Sequence, residues 1–170
     1  MSRKLFIAWL SSVTCLLIAG CGGVSLSLLF FDEFPHDEVH PLAFQEVLPA
    51  FDSAIGERRL VVVRDLVAWE ALWREHTAGL LPQPPMPSIN FAQNMVIAIF
   101  AGVRSDPCIN MQIQSIWQHT HPGRIEVNYR ELPFMANAQG QCRPGFRNAA
   151  VLVTLQYSFL PVEFFRIVQE

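Results

Sequence analysis

The sequence predicts an α+β domain, an antiparallel β-rich body of about six strands with one main amphipathic helix. Three observations predict it. One stretch, "LVAWEALWREHTAG", has helical periodicity; the runs after it alternate or are β-branched; and a proline-rich segment separates the two regimes. The chain has 170 residues, 51% of them hydrophobic, with 13 Phe and 4 Trp, enough for one domain with its own core plus an appendage.

The elements follow in chain order. "RRLVVVRD" is a β-branched run and reads as a strand ended by Asp65, a helix N-cap candidate. In the helix after it, Trp69, Leu72, Trp73 and His76 fall on one face, and Gly79 supplies the stop. "PQPPMPSINF" has four prolines between Pro82 and Pro87, which excludes helix and central strand and makes it a loop. "NMVIAIFAGV" is apolar on both strand faces. "INMQIQSIWQ" alternates Ile109, Met111, Ile113 against Asn110, Gln112, Gln114, and "RIEVNYREL" alternates Ile125, Val127, Tyr129 against Glu126, Asn128, Arg130, with "HTHPG" as the hairpin turn between them. "AVLVTLQY" and "PVEFFRI" are the closing strands.

Ahead of these elements the chain opens "MSRKLFIAWLSSVTCLLIAGCGG". Arg3 and Lys4 form a basic n-region, Leu5 to Leu17 an apolar h-region, and Ala19-Gly20 a small-residue site before Cys21, the layout of a secretory signal. "LIAGC" also resembles the bacterial lipobox, which implies a diacylglyceryl thioether on Cys21, and acyl chains in that number hold a protein firmly at a bilayer. The competing expectation is an uncleaved membrane helix, because no charge interrupts the 27 residues from Leu5 to Phe31. Gly20, Gly22 and Gly23 in mid-run favour cleavage. Both expectations put the domain in the cell envelope, in the periplasm or at the surface. Gly22 is not the Asp that retains lipoproteins at the inner membrane, which favours the outer one. The expected organisation is residues 1–20 as signal peptide, 21–41 as lipidated N-terminus and linker, and 42–170 as the domain. "VSLSLLFF", residues 24–31, has no assigned role, and the acidic "DEFPHDEVHP" reads as a solvated linker.

Charged residues are only 16% and the formal net charge is −3, with no basic cluster beyond Arg58-Arg59, so no nucleic-acid partner is expected. No Gly-x-Ser-x-Gly elbow, Ser-x-x-Lys, His-Glu-x-x-His or Gly-rich phosphate loop occurs. Glu126 and Glu131 read as an exposed strand residue and a strand end, not as an acid and base pair. His119 and His121 lack a third ligand at a recognisable spacing, and they read as solvated hairpin histidines. His36, Asp37, Glu38 and His40 likewise read as solvated linker residues. No catalytic residue, metal or cofactor is assigned.

Cys15 belongs to the signal and Cys21 takes lipid, which leaves Cys108 and Cys142 as the thiols of the exported domain. In an oxidising compartment they are expected to pair. They lie 34 positions apart, and closing a loop of that size stabilises a chain by ~3.5–4 kcal/mol. A nucleophilic Cys108 is the alternative, and it would need an activating histidine.

The ordered set "VVVRDLVAWEALWREHT", "PSINFAQNMVIAIFAGVRSD", "IEVNYRELPF" and "CRPGFRNAAVLV" resembles the PrcB-type domain, found in an accessory subunit of a bacterial surface protease complex and in secreted or lipid-anchored proteins. The resemblance covers about residues 53 to 166. Its marks are Trp69 and Trp73, Asn90-Phe91, Gly102, Arg104, Glu131 and Pro133. The chain departs from the family after Arg104, where Ser105-Asp106-Pro107-Cys108 replaces a Thr-Gly-Gly-Tyr turn. The altered turn keeps the partner's identity from being carried over from the family. The expected role is a domain without chemistry of its own that binds another envelope protein, such as a protease, with Arg104, Ser105 and Asp106 as candidate contacts and a structural salt bridge as the competing role of Arg104. A secreted enzyme and a carrier of a small ligand or metal are the alternatives.

Overall fold

The computed structural model describes residues 36–47, 53–104, 109–133 and 148–168. Residues 36–41 group with the other described residues in one compact unit. Among the described residues, eight strands and one helix make an α+β, β-rich domain: β1 (Val39–Pro41), β2 (Phe44–Glu46), β3 (Arg59–Val63), α1 (Leu66–His76), β4 (Asn94–Phe100), β5 (Ile109–His119), β6 (Arg124–Pro133), β7 (Ala150–Gln156) and β8 (Val162–Arg166). They form two four-stranded sheets, ordered β1-β5-β6-β8 and β2-β7-β4-β3. Every pairing is antiparallel except β6 with β8, which is parallel because the chain crosses from one sheet to the other between β7 and β8.

The two sheets bury their facing sides against each other. Met95, Ile97 and Ile99 of β4 and Val151, Val153 and Leu155 of β7 meet Met111, Ile113 and Ile116 of β5 and Ile125, Val127 and Tyr129 of β6. The opposite side of β4, Val96, Ala98 and Phe100, is covered by Trp69, Leu72 and Trp73 of α1. Burial of a strand on both sides removes alternation from its sequence, which is why β4 reads as one apolar run. In β5 the alternation changes phase: Met111 and Ile113 point inward, a bulge shifts the register between Ile113 and Ser115, and Ile116 takes the next inward place.

Helix α1 starts where the sequence places it, because Asp65 Oδ1 accepts a hydrogen bond from the Ala68 backbone N–H at 2.8 Å. The prolines then lie over it. The indole N–H of Trp69 donates to the Pro87 carbonyl at 3.0 Å, that of Trp73 to the Pro84 carbonyl at 3.3 Å, and the Gln83 amide to Thr77 Oγ1 at 2.9 Å. Prolines offer no backbone donor to a ladder, and the loop is held instead by the indole N–H groups that bond its carbonyls.

The α+β, β-rich reading with one main helix holds, and among the described residues the strands number eight, in two packed sheets. The two not read from the sequence are β1 and β2, three-residue edge strands whose side chains are mostly exposed, so no buried face marks them in the sequence. Residues 37–41, expected as linker, belong to the domain: Glu38 exchanges backbone bonds with Thr120, its N–H donating to Thr120 Oγ1 at 2.9 Å and its carbonyl accepting from the Thr120 N–H at 3.0 Å. Backbone pairing, which residue polarity does not reveal, recruits this segment.

Candidate functional site: an arginine cluster around Glu131

Glu131 is in phase with Ile125, Val127 and Tyr129, the residues of β6 that face the other sheet. Its carboxylate therefore enters the open end of the sandwich, where its side chain is only 8% exposed. Glu131 does lie near the end of its strand, as expected, but with its carboxylate buried. Five positions from Glu126, it lies on the opposite face of the same strand, so the two carboxylates cannot act as a pair.

A carboxylate in that position requires cations, and three elements deliver them. Arg104, just past β4, donates from Nη2 to Glu131 Oε2 at 2.7 Å. Arg58, before β3, places Nη1 3.7 Å from Oε1, and Arg166, the last residue of β8, places Nη2 3.5 Å from Oε2. Arg58 Nη2 also donates to the Tyr129 hydroxyl at 2.6 Å, and its guanidinium lies 6.0 Å from the centre of that ring. Tyr129 is itself buried in the core, so Arg58 ties the cluster to the packed sheets.

Gly102 fixes the approach of the segment before Arg104. Its φ is +70°, a left-handed conformation open to glycine, and a Cβ there would lie 2.6 Å from the Arg58 backbone nitrogen and 2.7 Å from the Glu57 carbonyl carbon. Val103 N–H then donates to the Gly56 carbonyl at 2.9 Å. The close passage of these two segments brings Arg58 and Arg104 to the same carboxylate.

Three guanidiniums thus face one carboxylate, a formal excess of two positive charges. The arginine side chains are 35–41% exposed, so the cluster has a buried anionic floor and a cationic rim in solvent. Lys4 is the only lysine of the chain, and every cationic side chain of the domain is an arginine, whose planar fork matches carboxylates and phosphates in two bonds at once. Arg59, next in sequence, takes no part: it pairs with Glu57 and with Glu75 at 2.8 Å, which holds the Glu75 carboxyl below its ordinary range.

Glu131→Gln is expected to lower stability by about 2–3 kcal/mol in chemical denaturation. That is less than the ~3–5 kcal/mol for breaking a fully buried pair, because the arginines left behind can still hydrate. Unchanged stability would mean that the carboxylate does not hold the cluster.

The second polar cluster lies at the other end of the sandwich. His119, 8% exposed, places Nδ1 2.6 Å from Asp37 Oδ2, with the ring N–H donating to the carboxylate, and Nε2 3.2 Å from Glu126 Oε2. The bond from His119, joined by one from the His121 backbone N–H at 3.1 Å, holds the Asp37 carboxyl below its ordinary range. His119 was expected to be solvated and is instead buried; Asp37 is exposed, as expected, and its bonds to His119 and to the His121 N–H fasten the segment before β1 to the β5–β6 hairpin. His121 is exposed, as expected. Among the described residues, the partners of the His119 ring are two carboxylates and the Arg124 guanidinium, with no hydroxyl or thiol beside it, and no three potential ligands converge on a metal position. A shallow groove of about 350 Å³ beside α1, lined by Glu70, Trp73, Arg74, Gln83, Pro84 and Met86, brings no further cluster of chemical groups together.

Of the residues assigned from sequence, Arg104 lies in the arginine cluster. Ser105, Asp106, Cys108, Cys142 and the lipidation candidate Cys21 lie outside the described residues. Sequence reasoning missed Arg58, Arg166 and the buried character of Glu131. The available signal was the period-two phase of β6, which puts a charge at a core-facing position and so demands partners. Comparison of the chain with protein-family models, curated proteins and solved structures finds no match in any of the three.

Proposed function

We propose that this chain is a lipid-anchored envelope protein whose domain binds another protein without chemistry of its own, and that the arginine cluster forms the centre of the contact. The observation that carries the reading is the cationic rim of Arg58, Arg104 and Arg166, preorganised by one buried carboxylate. Arginine is enriched at protein interfaces, and arginines fixed before binding lose less side-chain freedom on contact. Excess positive charge in a chain of net charge −3 selects an acidic surface on the partner. The likeness of residues 53 to 166 to PrcB-type domains supports a surface or periplasmic protease complex as the assembly, and "LIAGC" supports lipidation at Cys21.

Crosslinking in intact envelopes followed by co-purification tests this reading. The native chain is expected to bring down a stoichiometric protein, and Arg104→Gln with Arg166→Gln to reduce its recovery at least ten-fold at a temperature where both chains are folded, since losing two cations beside Glu131 also lowers the melting temperature. The double Arg→Lys variant keeps the charge and loses the fork, and it should recover an intermediate amount. Failure to recover a protein, or equal recovery by native and Gln variants, would overturn the proposal.

A further inference from the structure

The end of the sandwich opposite the arginine cluster displays a different chemistry. The chain enters the domain there: Val39 pairs with His119, and Asp37 and Glu38 are bonded to the β5–β6 hairpin. The β7–β8 connection lies at the same end and presents Phe159 at 87% exposure. This aromatic ring is built into position. Arg64 donates from Nε to the Ser158 carbonyl at 2.9 Å and from Nη2 to the Leu160 carbonyl at 2.8 Å, gripping the residues on both sides of it. Tyr157 stacks edge-on against Phe159 with ring centres 4.9 Å apart, and the Tyr157 backbone N–H donates to the Gln93 carbonyl at 2.8 Å.

The start of α1 follows Arg64 directly and adds Val67 at 77% exposure and Leu66 at 49%. Several polar groups of this end are satisfied by one another: Arg64 by the two carbonyls, and Asp37 by His119 and the His121 N–H. Among exposed polar groups such as Glu38, Asp65 and His121, this end presents an apolar tip on a fixed scaffold. Large apolar side chains held in water without cover mark a contact surface.

The tether identifies what the tip contacts. Cys21, the proposed lipid anchor, stands 16 residues before Asp37, with the apolar run from Val24 to Phe31 between them, so the chain passes from the membrane into the domain at Asp37. Asp37 is fastened at the same end as Phe159. We infer that this tip, led by Phe159 with Val67 and Leu66, rests in the interfacial layer of the bilayer that holds the N-terminal segment, in uncharged lipid. Phe and Leu side chains on an apolar surface bury at the headgroup boundary, and the amphipathic ring of Tyr157 beside Phe159 favours the same layer. The nearby acids Asp37, Glu38 and Asp65 disfavour an anionic surface, which makes phosphatidylcholine the fitting probe. The inference rests on the proposed lipid anchor at Cys21 and is independent of the arginine cluster.

Photo-crosslinking from defined positions tests it. The full chain carrying Phe159→p-benzoylphenylalanine is reconstituted with phosphatidylcholine vesicles, irradiated, and weighed for lipid adducts. A second chain carries the same group at Val103, which is 76% exposed and lies at the opposite end. At least five-fold more lipid adduct from position 159 than from 103 is the expected result. Equal labelling in chains that float with the vesicles overturns the membrane contact alone, and so does an adduct from 159 mainly to a second protein copy. Chains that do not float overturn both the anchoring and the contact.

Discussion

Trp69→Ala is expected to destabilise the domain by about 3–5 kcal/mol, the cost of a large aromatic deleted from a core that cannot close over the cavity. Trp69 is fully buried and packs at 5.3 Å from the Trp73 ring, over the side of β4 that carries Val96, Ala98 and Phe100. Its loss also leaves the Pro87 carbonyl without its indole donor and releases the proline loop. Trp69→Phe keeps most of the packing and removes the N–H, and it should cost about 1–2 kcal/mol by the loss of that bond. Urea denaturation of the three proteins measures both numbers. Equal stability of the native and alanine proteins would mean that α1 does not form part of the cooperative unit.

Gly102→Ala is the second large effect, at about 2–5 kcal/mol. Left-handed backbone costs an L-residue about 1–2 kcal/mol, and overpacking against an unyielding neighbour adds about 1–3 kcal/mol. The neighbour is backbone, at Glu57 and Arg58, so no side-chain rotation relieves the clash. Movement of that segment withdraws Arg58 from Tyr129 and Glu131. The substitution should therefore lower both the melting temperature and the recovery of a binding partner. Gly79→Ala is a useful comparison: its φ is +75° and it has open space around it, so only the conformational penalty of about 1–2 kcal/mol applies. A Gly102 variant no less stable than the Gly79 variant would contradict the close passage of the two segments.

Local signals were legible in the sequence where one residue decides the outcome. Asp65 marks the helix start because its short carboxylate reaches the Ala68 N–H, and the apolar run of β4 marks a strand covered on two sides. The hairpin, α1 and its inward tryptophans were readable for the same reason. Features that depend on remote backbone were not. β1 and β2 bury little and pair through main-chain bonds to β5 and β7, so their side chains carry no pattern. The parallel placement of β8 beside β6 is likewise a matter of which sheet edge lies open when the chain returns.

The site was legible by halves. Arg104 stood out after the apolar strand, but its partner did not, because Glu131 near the end of an alternating strand looks exposed unless its phase is followed inward. Arg58 and Arg166 lie 108 positions apart in the chain and meet only through the fold. Cations from distant segments that converge on a single carboxylate leave no spacing for a sequence to display.

The central claim is that a preorganised arginine cluster binds an acidic partner surface. The ionic-strength dependence of the dissociation constant, measured for the captured complex with native chain and with Arg166→Gln, tests it most directly. Screening weakens charge attraction as the Debye length shrinks from ~10 Å at 0.1 M salt to ~3 Å at 1 M. Native binding should weaken several-fold over that range, with a visibly smaller slope for Arg166→Gln. A dissociation constant indifferent to salt, or identical slopes for the two proteins, would contradict the claim.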